Sequence, residues 1–320
     1  MMITTLMIAL TALTGYHVES TIPGPDGGWD LASVDPSGRR LFVARGDSVT
    51  VANLSTNRSR QFATAQRGHA ALAVPGTNLL LVTNGSADSA TLFDRSSGAL
   101  MGTLPTGKKP DAATYDPATR TVWVMNAGSG DITIVGSLTR KVVGTLMVGG
   151  SLELGAADGT GRLYVNIEDR NSVAVIDTRS RKLVKMFPLA GCDGPTGIAY
   201  AASARQLISA CANGVAIVSR PDGTNVASLP IGKGADGAVF DAKRGVALIP
   251  AGRDANLSVI QLGSRPHVVK VLPTARGART IALDEHSGRV YLAAADQKEA
   301  EGDKSPQAVP GTWRVIVIAP

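Results

Sequence analysis

The chain has 320 residues, with 32 Lys and Arg against 26 Asp and Glu, a net charge of +6 and a pI near 9.5. Apolar residues make up 44%, which supports a large core and excludes global disorder, while 18% charged residues are too few for a coiled coil or a long solvated bundle. The 36 glycines point to many turns, and two cysteines exclude a disulfide-dense scaffold or a four-cysteine zinc module.

The first residues, Met1 to Leu13, are apolar and Thr-rich, and the first basic residue is Arg39. The apolar stretch fits a secretory signal over residues 1–15, although the basic flank is missing and Ala12-Leu13-Thr14 is a poor cleavage site. The rival reading is a tail or a short buried segment. The stretch is too short to span a bilayer, and no later segment is long and apolar enough, so no membrane span is expected.

From there a unit repeats: a polar residue, a short apolar strand, a turn, then three more short strands. In its fullest copy, Lys109-Pro110-Asp111 opens the unit and Ala112 to Tyr115 is the first strand. Asp116-Pro117-Ala118-Thr119 turns the chain. Val122 to Asn126, Ile132 to Val135 and Lys141 to Val148 follow as strands. The turns align at Pro36, Pro75, Pro117, Gly159, Ala202, Ala242 and Glu285, spaced 39 to 43 residues apart. Four strands in about 40 residues mark propeller blades rather than solenoid helices. The strands alternate or run β-branched, as in Ile132-Thr133-Ile134-Val135. The seventh unit stops after its third strand, Val315 to Ile318. His17 to Pro23 supplies a spare strand with the fourth-strand pattern, so pairing the chain ends would close the ring and cover an open edge. The fold expected is all-β: one seven-bladed β-propeller domain over residues 16–320.

Leu81-Val82-Thr83-Asn84, Trp123-Val124-Met125-Asn126 and the shortened Tyr164-Val165-Asn166 resemble the name-giving motif of the YVTN-repeat (YncE-like) seven-bladed propellers. Phe42-Val43-Ala44-Arg45 and Leu248-Ile249-Pro250 keep only the apolar pattern. The resemblance covers residues from Tyr16 to the C-terminus. It implies the propeller fold and an exported, periplasmic or secreted protein. Some family members are reported to bind single-stranded DNA, and many have no known activity.

No G-x-S-x-G elbow, P-loop or H-E-x-x-H occurs. Gly232-Lys233-Gly234-Ala235-Asp236-Gly237 reads G-x-G-x-x-G, but it precedes a strand in an inter-blade loop, whereas a dinucleotide site needs it after a strand and at a helix start. Six residues before each aligned turn stand Asp30, His69, Asp111, Glu153, Thr196, Asp236 and Arg279. Each opens the innermost strand of its blade, so all seven are expected around one mouth of the central channel. Three readings compete: a ligand or divalent cation site, an acid–base site whose like charges push pKa values apart, and polar residues that only satisfy backbone groups. His69, Asp111 and Glu153 form the expected metal set, with the imidazole admitting Zn²⁺ or a softer ion. Arg279, across the ring, suits an anionic group such as a carboxylate.

Arg67, Lys108, Lys109, Lys233 and Arg276 are expected to rim the same face, where nucleic acid is a conceivable partner. Aromatic residues are only 4%, so stacking platforms are scarce, and Trp29 alone adjoins a ring residue. His17, His267 and His286 read as surface residues. Cys192 and Cys211 fall near each other across the blade-five hairpin, which predicts a disulfide. Ala294 to Thr312 is a long, charged insertion in blade seven, expected either as a lid over the ring or as a disordered excursion. The function expected is an exported, monomeric binding protein for a small-molecule or anionic ligand, with metal-assisted hydrolase or lyase activity and nucleic-acid binding or scaffolding as the alternatives.

Overall fold

The computed structural model describes residues 15–298 and 307–320. The signal-like stretch, apart from Gly15, and the middle of the blade-seven insertion lie outside the described residues.

Seven four-stranded antiparallel sheets form the ring. Blade three shows the plan: Pro110–Asp116 innermost, then Thr121–Asn126, Asp131–Gly136 and Lys141–Met147 outermost. Its middle strands, TVWVMN and DITIVG, are buried throughout, because each face packs against a neighbouring blade. The outermost strand has only exposed and half-buried residues, as an edge facing water should. Seven apolar clusters hold the ring together, one at each contact between adjacent blades. Trp123, Met125 and Ile134 of blade three meet Leu163, Val165 and Ile176 of blade four in one of them, and Ile22 and Val315 of blade seven meet Leu41 and Val43 of blade one in another.

The ring closes as the repeat count requires. Blade seven orders its strands Ala282–Leu283, Val290–Ala294, Arg314–Ala319 and then His17–Pro23. The N-terminal strand pairs from His17↔Ala319 to Pro23↔Arg314. Just before it, buried Tyr16 donates its hydroxyl to Asp241 of blade six at 2.7 Å, which also ties the chain start to the neighbouring blade.

Cys192 and Cys211 form a disulfide with a Cα separation of 5.5 Å. Cys211 pairs in register with Pro195, because a bulge between Pro195 and Gly197 opens the first strand of blade five. The blade-seven insertion leaves as a short hairpin, Gln297–Lys298 against Gln307–Ala308. Asp296 pairs with Arg314 at its base. The tip, with Glu299, Glu301, Asp303 and Lys304, lies outside the described residues. No helix among the described residues is long and apolar enough to cross a membrane.

Candidate functional site at the channel mouth

The mouth is built by the starts of the seven innermost strands, which are stitched together blade to blade. The Leu31 N–H donates to the His69 carbonyl and the Asp236 N–H to the Arg279 carbonyl. The Thr280 hydroxyl donates to the Asp30 carbonyl at 3.1 Å. The repeat motif has the same task. Thr83 accepts the Ala70 N–H at 2.9 Å and donates its hydroxyl to the Asp111 carbonyl at 3.0 Å. Asn166 donates to the Thr196 and Gly197 carbonyls. These motif residues are buried structural ties that fix where the mouth's side chains start.

Five of the seven expected residues form one linked network. The His69 imidazole donates through Nδ1 to Asp30 at 2.7 Å, with Asp111 at 3.3 Å from the same nitrogen. Arg279 donates through Nε to Asp236 at 2.8 Å and lies 3.8 Å from Asp30. Asp30 therefore joins two ion pairs across the boundary between blades seven and one. The other imidazole nitrogen of His69, Nε2, is buried and has no hydrogen-bond partner among the described residues.

The electrostatics follow from crowding charges in a half-buried ring. The hydrogen bond to Asp30 holds the His69 pKa above its ordinary value, against the opposing effect of burial. Burial pushes Asp111 up. It pushes Asp236 up to about 6 despite Arg279, and Glu153 up to about 9 with the carboxylates of Asp111 and Asp236 adding to the rise. For Arg279, burial works downward but Asp236 and Asp30 outweigh it, leaving the guanidinium more firmly protonated. Glu153 thus enters neutral solution protonated.

Three of the expected residues sit differently from the arrangement expected. The ligand atoms that approach within 4.8 Å of one another belong to Asp30, His69 and Asp111, so Asp30 stands where Glu153 was expected. Arg279, expected as an anion anchor, is engaged by two ring carboxylates, Asp236 at 2.8 Å and Asp30 at 3.8 Å. Thr196 keeps its ring position but is buried, and its hydroxyl is spent on the Ala235 carbonyl at 3.0 Å. Asp30 could have been preferred from the sequence, since it neighbours His69 in the next blade just as Asp111 does. The missed signal was that adjacency: residues of successive blades meet, whereas Glu153 is two blades from His69.

Arg67, Lys108, Lys109, Lys233 and Arg276 are exposed. Lys108 pairs with Asp88 at 2.7 Å. The Trp29 indole N–H donates to the Gly277 carbonyl at 3.1 Å.

No protein-family model matches the chain, and no curated protein matches it. Solved structures do. One titled "Crystal Structure of Mitotic Checkpoint Complex" aligns with a TM-score of 0.76 at 14% identity, over 96% of this chain and 92% of the other. "Structure of U3-55K" gives 0.76 at 12% identity, over 94% and 98%. The hydrazine synthase of Kuenenia stuttgartiensis gives 0.70 at 18% identity, over 87% and 94%. At such identities the likeness shows the fold alone.

Proposed function

We propose that this chain is an exported propeller of the YVTN-repeat type, one domain over residues 16–320, that binds a divalent cation, or a small ligand carrying a cationic group, at the ringed mouth. The observation that carries this reading is the convergence of Asp30, His69 and Asp111, from three successive blades, with ligand atoms within 4.8 Å of one another. Two carboxylates and one imidazole suit Zn²⁺ or Mn²⁺ better than an all-oxygen cation such as Ca²⁺. A metal at His69 competes with the proton that the two carboxylates hold there, so binding releases a proton and strengthens as pH rises. Export is supported by the disulfide, a bond that persists in oxidising compartments. Membership of the repeat family is supported by Thr83 and Asn166, whose side chains join one blade to the next.

Calorimetric titration of Zn²⁺, Mn²⁺ and Ca²⁺ tests the site. One saturable equivalent is expected in the wild type, lost in Asp30→Asn, His69→Ala and Asp111→Asn, and kept in Lys108→Ala. Absence of binding, or binding indifferent to these changes, defeats the reading.

A metal-assisted hydrolase or lyase at the same mouth is the second reading, and Glu153 favours it. A carboxyl that keeps its proton to about pH 9 is a general acid at neutral pH. Turnover that disappears in Glu153→Gln while metal binding survives would separate the two.

A further inference from the structure

Six of the seven inner strands that start at the charged mouth end in a chamber of opposite character. Around the channel axis, at the end where the first-to-second-strand turns lie, a cavity of about 600 Å³ is lined by the inner strands of six blades. Leu72, Tyr115, Tyr200, Phe240 and Leu283 supply its aromatic and aliphatic wall, and Glu285 stands at its rim. The volume falls within the roughly 300–1,000 Å³ of small-molecule sites. The cavity is unlike the rest of the chain, because three of the ten Tyr and Phe residues converge there.

Three features define what such a chamber recognises. Its aromatic rings are held in place: Tyr200 stacks on buried Tyr164 with ring centroids 5.8 Å apart. Neither the Tyr115 nor the Tyr200 hydroxyl has a hydrogen-bond partner among the described residues. The only charged residue in the lining is Glu285, which is exposed and forms no ion pair among the described residues, and the lining contains no Lys, Arg or His. Aromatic faces and a carboxylate both attract cations, while an apolar wall rejects a small, strongly hydrated ion. We propose that this axial chamber is a second binding site, separate from the ringed mouth, for a small organic cation: an apolar or aromatic body bearing an alkylated ammonium group. The body packs against Leu72, Phe240 and Leu283, and the ammonium group lies against the tyrosine rings on the side of Glu285.

Benzyltrimethylammonium and its uncharged counterpart neopentylbenzene, which replaces nitrogen by carbon at nearly equal shape, are the probes. Saturable binding of the ammonium probe at millimolar concentration or below is expected by calorimetry or by chemical-shift changes in the aromatic residues. The neutral probe is expected to bind about tenfold more weakly, the difference a cation over aromatic faces makes. Glu285→Gln, an exposed change that leaves the fold intact, is expected to weaken the ammonium probe several-fold and leave the neutral probe unaffected. Tyr200→Leu and Tyr115→Leu keep an apolar wall and should weaken the ammonium probe selectively. His69→Ala at the other mouth should change nothing, which keeps this test distinct from that of the cation site. No saturable binding, equal affinity for both probes, or affinity unchanged by Glu285→Gln and the tyrosine substitutions together would overturn the proposal.

Discussion

The seam of blade seven and the ring at the channel mouth both join residues far apart in the chain, yet they do so with opposite physics. The seam buries apolar surface and completes a hydrogen-bond ladder: Ile22 is fully buried against Trp313 and Val315, and the strand carries six register pairs. Each contact there stabilises the closed ring. The mouth instead gathers Asp30, His69, Asp111, Glu153, Asp236 and Arg279 into a half-buried space where three carboxyl groups are driven upward in pKa. Holding charges there costs free energy that the rest of the fold must supply. The scaffold holds the molecule together, and the mouth is held together by the scaffold. Changes at the seam should therefore lower stability, whereas removing a charge at the mouth should leave it alone or raise it while altering binding.

The largest expected effect is loss of the seam. Removing residues 1–23 takes away the outer strand of blade seven, buried Tyr16 with its bond to Asp241, and buried Ile22. Losing two large buried side chains and a strand ladder exceeds about 5 kcal/mol, a large part of a typical domain's stability. Thermal melts should lose cooperativity and the protein should aggregate through the exposed Arg314–Ala319 edge. A monodisperse product with an unchanged melt would place the closing force elsewhere.

The disulfide comes next. Cys192–Cys211 encloses a sequence separation of 19 residues, worth roughly 3 kcal/mol by loop entropy. A Cys192→Ser/Cys211→Ser double variant should unfold at correspondingly lower denaturant and keep its metal binding, because the bond lies between blades four and five, away from Asp30, His69 and Asp111. Loss of metal binding with unchanged stability would reverse the assignment of scaffold and site.

Much of this division was legible in the sequence, for a physical reason. Turns such as Asp116-Pro117-Ala118-Thr119 recur because each blade must reverse its chain at the same place, so their spacing exposed the repeat, the ring positions and the missing fourth strand. The direction of each ring side chain was not legible. In blades three, four and five the innermost strand opens with a bulge: pairing slips between Pro110 and Ala113, between Leu152 and Gly155, and between Pro195 and Gly197. Asp111, Glu153 and Thr196 sit inside these bulges. A bulge re-aims a side chain and breaks the two-residue alternation on which a sequence reading relies. Thr196, inside its bulge, turns its hydroxyl to the Ala235 carbonyl, whereas Asp111, inside another, still reaches His69. The axial chamber was also hidden, because Leu72, Tyr115, Tyr200 and Phe240 read as ordinary strand residues until the ring brings them together.

A smaller effect, opposite in sign, is expected at Glu153. Its pKa in the folded chain is about 9 against an ordinary 4.5, so the folded state holds a proton that the unfolded state has released. Stability from this group is complete below about pH 4.5 and declines as pH rises toward 9. Asp236, raised to about 6, acts in the same sense over a lower window, and His69, raised by Asp30, acts in the same sense from its ordinary imidazole value upward. Glu153→Gln keeps a neutral group of similar shape and removes its share of the slope. Denaturant unfolding at pH 5, 7 and 9 should show variant and wild type nearly equal at pH 5. By pH 9 the variant should be the more stable by on the order of 2 kcal/mol, after allowance for partial exposure. Parallel pH curves would mean that Glu153 ionises freely and that the mouth is less crowded than its geometry indicates.

The mildest change aims at the site without touching a charge. Gly85 follows the Leu81-Val82-Thr83-Asn84 strand end and lies behind the His69 ring. A Cβ there would stand 2.8 Å from Cδ2 and 2.9 Å from Nε2 of the imidazole, closer than real contacts allow. Its backbone does not need the left-handed region that favours glycine, so Gly85→Ala brings no backbone strain of its own. The imidazole must move, and its Nδ1 is the atom that holds Asp30 and Asp111 together. The melt should fall by a few degrees at most, since the displaced ring is half-buried and no apolar cluster loses a member. The His69 resonance, followed by NMR, should titrate nearer the ordinary imidazole value once its contact with Asp30 lengthens. Zn²⁺ affinity should drop at least tenfold, a small geometric error being enough to spoil a three-ligand set. If His69 titrates as before and the metal binds as before, the imidazole has room to spare, and the mouth is a hydrated polar rim rather than a built site.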